Sequence, residues 1–192
     1  MRELIQSIFQ ESIKVKEATL KKNLDAIVAA VEAVNACFQK GGKVIFFGNG
    51  GSAADSQHIA AEFIGRFQKE RRSLPAIALT TDSSILTALG NDYGFEVVFA
   101  RQIEGIGKEN DVAVAISTSG NSANVLAGAR QAKKMGLKVI GLSGGDGGKL
   151  APLCDINLIV PSKVTARVQE SHICIAHAIC ELVENNFAKK AK

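Results

Sequence analysis

The chain has no tryptophan and a single tyrosine among its 192 residues. A nucleic-acid-binding surface usually joins a basic stripe to aromatic stacking platforms, and this sequence offers neither. Basic residues exceed acidic ones by only 23 to 19, for a net charge of +4. The densest basic runs, at 69–72 and 189–192, carry no interleaved aromatics and read as solvated surface charge. Proline is scarce, three against eighteen glycines, which argues against stiff linkers and for many tight turns. The four cysteines, Cys37, Cys154, Cys174 and Cys180, form no CxxC pair; they read as reduced, buried thiols rather than a disulfide framework. No apolar run approaches the ~18 residues a membrane span needs. Met1-Arg2-Glu3-Leu4 already mixes charged and apolar groups, unlike a secretory leader. A cytoplasmic protein with neither a nucleic-acid nor a membrane partner is expected.

What is present is apolar. Hydrophobic residues make up 46% of the chain, enough for a full core, and the length suits one domain over 1–192. Ile5, Ile8, Phe9, Ile13 and Val15 suggest one helical face, and Leu24, Ile27, Val28, Val31, Val34 and Phe38 a second. Two N-terminal helices are therefore expected within 1–40, closed by Gly41-Gly42, with apolar faces suited to an oligomer interface. A beat of strand and helix follows. Strands are expected at 43–47, 76–79, 111–116, 138–142 and 156–160. Helices are expected at 52–67 (with Ser52 as N-cap), 83–89, 122–135 and 165–187. This alternation predicts an α/β, doubly wound five-stranded parallel sheet with helices on both faces and right-handed crossovers. Ligands of such sheets bind beyond the carboxyl ends of the strands, at a topological switch point. That directs attention to the loops after the first and third strands.

The first of these loops reads Gly48-Asn49-Gly50-Gly51-Ser52. Its glycines would let a ligand approach the backbone at a helix N-terminus. It fits a loose dinucleotide fingerprint but lacks the acidic residue about 20 positions on, and an ordinary tight turn would look similar. The second reads Ser117-Thr118-Ser119-Gly120-Asn121-Ser122. Its hydroxyls, with backbone N–H groups, suit a terminal phosphomonoester, although simple helix capping would also use Ser and Asn. His58 and Glu62 are spaced i, i+4 on one helix face. Gln169 and His177, slightly more than two turns apart, share a face of the last helix. His172 lies roughly 140° around that helix from His177 and is the weaker candidate. Two imidazoles, a carboxylate and an amide oxygen could hold zinc. A surface pair for His58 with Glu62, and a core position for His177, are the plainer alternatives.

Taken together, Gly48-Asn49-Gly50-Gly51-Ser52, His58-x-x-x-Glu62, Gly90-Asn91-Asp92, the serine loop and Arg167-Val168-Gln169-Glu170 followed by His177 resemble the phosphoheptose isomerases, within the sugar isomerase (SIS) domain superfamily. The resemblance covers nearly the whole chain. It implies a homotetramer that converts sedoheptulose 7-phosphate to D-glycero-D-manno-heptose 7-phosphate for bacterial surface glycans. It also implies that Ser117, Thr118, Ser119 and Ser122 hold the phosphate and that Asn49, Gly50, Gly51, Ser52, Asn91 and Asp92 line the sugar. His58, Glu62, Gln169 and His177 would ligate zinc, Glu62 and Gln169 would also meet the substrate, and Glu62 and His177 would be the acid–base pair. Some members carry an acidic residue just before the Arg-x-Gln segment. Here the chain reads Thr165-Ala166-Arg167, so no contact is carried over from that position. The chief alternative is a non-catalytic SIS-domain protein that binds the replication initiator; that group lacks the equivalents of Glu62 and His177. An arabinose 5-phosphate isomerase would usually carry extra regulatory domains.

Overall fold

A computed structural model describes residues 1–188, so the basic cluster at 189–192 lies outside the described residues. The elements are α1 (Arg2–Gln39), β1 (Val44–Gly48), α2 (Gly51–Ile64), β2 (Ala76–Ala78), α3 (Ser83–Tyr93), α4 (Val98–Ile106), β3 (Val112–Ser117), α5 (Ala123–Lys134), β4 (Lys138–Gly144), β5 (Ile156–Val160) and α6 (Thr165–Phe187). The five strands form one parallel sheet in the order β2-β1-β3-β4-β5. After β2 the chain crosses back over β1 to lay down β3, so the strand order reverses between β1 and β3. That is the switch point where such sheets open a crevice. Among the described residues no helix is long and apolar enough to cross a membrane.

β5 and α6 fall where the sequence predicts them; the other strands and helices shift by one to four residues. Three differences have physical causes. The two expected N-terminal helices are one 38-residue helix, because no glycine or proline interrupts residues 2–39 and nothing else forces a break. Second, α2 begins at Gly51 with Gly50 at its cap, so Ser52 lies buried inside the first turn and is not the N-cap. Third, α4 was not anticipated; it is short, yet it buries Val98, Phe99 and Ile103.

The sheet separates two apolar cores. On one face α1, α2 and α6 pack Val34, Ile59, Phe63, Ile175 and Ile179 against Phe46, Val114 and Ile140. On the other, α4 and α5 pack Phe99, Ile103, Val125 and Ala129 against Ile45, Phe47 and Val139. Alternation along β1 sends Phe46 one way and Phe47 the other, as the two-residue period of a strand requires. The apolar face of α1 is divided. Ile27, Val31, Val34 and Phe38 are buried, while Ile5, Phe9, Ile13, Leu20 and Leu24 remain exposed.

At the rim of the sheet, the buried Asn23 of α1 lies against β5. Its Oδ1 accepts from the Ile159 N–H at 2.9 Å and its Nδ2 donates to the Ile159 carbonyl at 3.1 Å.

His172, on α6, is 1% exposed, with Nε2 3.1 Å from the Ser143 carbonyl of β4. Burial pushes its pKa down to about 4, against the opposing pull of that carbonyl. The folded state thus holds the ring neutral, while the unfolded chain takes up a proton below pH ~6.5. Stability is complete above that pH and falls as pH drops toward 4, by about 2 kcal/mol at pH 5 from this residue alone. Denaturant titrations at pH 7 and pH 5 should show that loss, and His172→Gln should remove this part of it.

Candidate active site

The site is built on one face of α2. Gly51, Asp55, His58 and Glu62 recur at helical spacing, running away from the carboxyl end of β1. α6 passes alongside and sets Gln169 against Gly51 and His177 against His58. His58 Nε2 lies 3.2 Å from Glu62 Oε1 and 3.1 Å from His177 Nε2. One ligand atom from each of His58, Glu62 and His177 lies within 4.8 Å of the others. The imidazoles cannot both be protonated at facing nitrogens without repulsion, so at least one lone pair points into the cluster. A tetrahedral ion with bonds of about 2.1 Å sets its ligand atoms roughly 3.4 Å apart, a few tenths of an ångström more than the two separations here. The donor set of two imidazoles and a carboxylate therefore fits a zinc-type cation.

Gln169 lies against the same face of α2, beside Gly51 and Asp55. A Cβ built on Gly51 would fall inside contact distance of the Gln169 side-chain nitrogen, oxygen and carbon. The glycine is needed because the amide lies directly over the helix start. Asp55, which no sequence motif marked, lies between Gly51 and His58 on the same face of α2. Burial pushes its carboxyl above the usual range, opposed by the Gln169 amide and by His58 and His177, and its Oδ2 is buried without a partner. The signal was in the sequence, since Asp55 extends the Gly51, His58, Glu62 series on the same face. Phe67 backs the cluster, its ring centroid 5.5 Å from that of His177.

The serine loop lies at the end of β3, the strand beside β1. Ser117 Oγ and Ser122 Oγ are 3.0 Å apart. Ser122 occupies the N-cap position of α5 but makes no side-chain cap bond, which disfavours the capping explanation for these hydroxyls. Ser119 Oγ accepts from the Asn121 N–H at 3.2 Å, and Thr118 is partly exposed in the same loop. Gly120 holds φ at 66°, and a Cβ there would strike the backbone of Gly147 and Gly148. The loop is thereby pressed onto the turn after β4.

Two expectations look different in three dimensions. The Asn49 side chain is engaged by Asn124 of α5 through a reciprocal amide pair, 2.8 Å each way. Asn49 is thus fixed by a buried residue that no sequence motif marked. Asn91 and Asp92 lie exposed on α3 and bond to each other at 2.8 Å. α3 itself packs on α4 and on the turn before it, and among the described residues no hydrogen bond joins Asn91 or Asp92 to the cluster.

Comparison with known proteins agrees with this fold. A family model described as the SIS domain matches residues 8–144. The chain is 51% identical to a phosphoheptose isomerase from Aquifex aeolicus over 100% of both chains. It is 54% identical to one from Roseiflexus sp., over 93% of this chain and 90% of that one. A solved phosphoheptose isomerase from Neisseria gonorrhoeae superposes with a TM-score of 0.91 at 45% identity, covering 96% of this chain and 98% of that one.

Proposed function

Because the chain belongs to the phosphoheptose isomerases of the SIS domain family, we propose that it interconverts sedoheptulose 7-phosphate and D-glycero-D-manno-heptose 7-phosphate through an enediol, with Glu62 and His177 as the acid–base pair. The observation that carries this reading is the convergence of His58, Glu62 and His177 from two helices, one of which, α2, starts at the switch point beside the serine loop.

An aldose–ketose isomerisation needs a base beside the carbon that loses its proton and an acid beside the oxygens. Glu62 turns Oε1 toward His58, and its carboxylate removes the proton from the carbon next to the carbonyl and returns it to the neighbouring carbon. His177 exchanges the proton between the two oxygens. Ser117, Thr118, Ser119 and Ser122 donate to the phosphate, with Gly50, Gly51 and Ser52 at the helix start facing the sugar. Binding energy from the far end of the substrate thus positions the reacting end. Asn91 and Asp92 are assigned to the sugar on the resemblance alone. We assign zinc to His58, Glu62, His177 and the Gln169 amide; when bound it would polarise the hydroxy-carbonyl edge of the sugar.

The whole chain, 1–192, is read as one SIS domain working in the cytoplasm and supplying heptose to surface glycans. The exposed apolar stripe of α1 supports assembly of copies, as a homotetramer. A non-catalytic partner of the replication initiator has no use for a converging glutamate and histidine pair, and that alternative is not favoured.

The test is to incubate the protein with sedoheptulose 7-phosphate and follow aldose phosphate, with and without a chelator. Turnover abolished by the chelator and restored by zinc is the expected result. Turnover indifferent to the chelator would remove the metal from the mechanism, and no turnover in either state would defeat the isomerase assignment.

A further inference from the structure

The strap that joins α2 to the next strand is held by an ion pair that the proposed chemistry does not use. Arg71 and Glu184 face each other at 3.3 Å, with side chains only 1% and 2% exposed. Glu184 lies two turns beyond His177 on α6. Its carboxylate accepts three consecutive backbone N–H groups, from Phe67 at 2.8 Å, Gln68 at 2.6 Å and Lys69 at 2.7 Å. Arg71 works in the other direction. Its guanidinium donates to the carbonyls of Phe63 and Gly65, each at 2.9 Å, and to that of Glu62 at 2.7 Å. These carbonyls belong to the end of α2, where unpaired acceptors and the negative end of the helix dipole favour a cation.

We infer that the Arg71–Glu184 pair positions the reacting groups, setting the helix of His58 and Glu62 against the helix of His177. The inference rests on reading that cluster as the reacting site. Its geometry is specific. Arg71 grips the backbone of Glu62 itself, Glu184 is fixed to the helix of His177, and the strap between them lays Phe67 against the His177 ring. A buried ion pair is weak evidence of stabilisation, since apolar groups of the same volume often serve as well. What this pair provides is a fixed distance between two ligand-bearing helices. Partners lying behind a site's ligands commonly change metal affinity or activity by about 10–100-fold when removed.

The experiment compares wild type, Glu184→Gln and Arg71→Lys by three readouts. These are thermal unfolding, cobalt(II) binding followed by visible absorption, and the separate kcat and KM for sedoheptulose 7-phosphate. Both variants are expected to be folded at 25 °C, to bind cobalt about tenfold or more weakly, and to lose about tenfold or more in kcat. KM should stay within about threefold, because the phosphate loop is untouched. Arg71→Lys keeps the charge and carries the test if Glu184→Gln fails to fold. A lowered melting temperature with kcat and cobalt affinity within about twofold of wild type would overturn the inference and leave the pair a stability element. A wild type that binds cobalt but never turns over would sink the isomerase reading instead, and the cobalt comparison would still decide on the pair.

Discussion

Glu62→Gln is expected to lower kcat by about a hundredfold or more while leaving the protein folded. The amide has the shape of the carboxylate and keeps an oxygen toward His58, but it cannot accept the carbon proton. Positioned acid–base groups contribute about 10²–10⁴-fold. The cost to stability should stay near 0.5 kcal/mol, as is usual for a partly exposed position, because the His58–Glu62 pair is open to water, with His58 50% exposed, and such pairs contribute little. KM should change little, since the serine loop that would hold the phosphate lies on another strand. Steady-state kinetics gives the first readout. Wash-in of solvent deuterium at the reacting carbons gives the second, and it should disappear with turnover. Activity within about tenfold of wild type would mean that another group moves the proton.

Gly51→Ala should separate catalysis from stability. An alanine in the first turn of α2 is favoured by about 0.5–1 kcal/mol over glycine on backbone grounds. Gly51 is not among the positive-φ positions, so the melting temperature should hold or rise. The added methyl would, however, occupy the place of the Gln169 amide. That side chain is flexible and can swing away, at little cost to the fold but with loss of its place at the start of α2, beside Asp55. A displacement of about 1 Å at a reacting centre can cost on the order of 10²-fold in rate. Loss of kcat/KM on that scale, with weaker metal retention in a chelator competition, is the expected result. Gly120→Ala is the contrasting control, because its methyl meets the backbone of Gly147 and should cost stability as well. If Gly51→Ala retains activity within about threefold, Gln169 has no positional role.

Much of this was legible in the sequence. The beat of strands and helices is local, and β5 and α6 were bounded to the residue. The helical pairing of His58 with Glu62 follows from an i, i+4 spacing and needs no tertiary information. The meeting of His58 with His177 does, because the two are 119 residues apart and only the packing of α2 on α6 joins them; the family resemblance supplied it in advance. The reach of α1 was missed because two separate apolar stripes suggested two helices, when one unbroken helix carries a buried stripe and an exposed one. Asn124 was invisible for another reason. An asparagine early in a helix signals a cap, and nothing local shows that its amide turns to Asn49 instead. Asn91 and Asp92 came from the resemblance alone, and their exposed position on α3 could not have been read from spacing.

Asn23 also determines how copies of this chain can meet. An outer strand normally presents free N–H and C=O groups that another molecule can extend. On β5, one amide from α1 answers the Ile159 groups as an adjoining strand would, so sheet-to-sheet growth is blocked there. Contact between copies near this edge has to run through helix surfaces, whose side chains can specify a closed, symmetric association rather than an open-ended fibre.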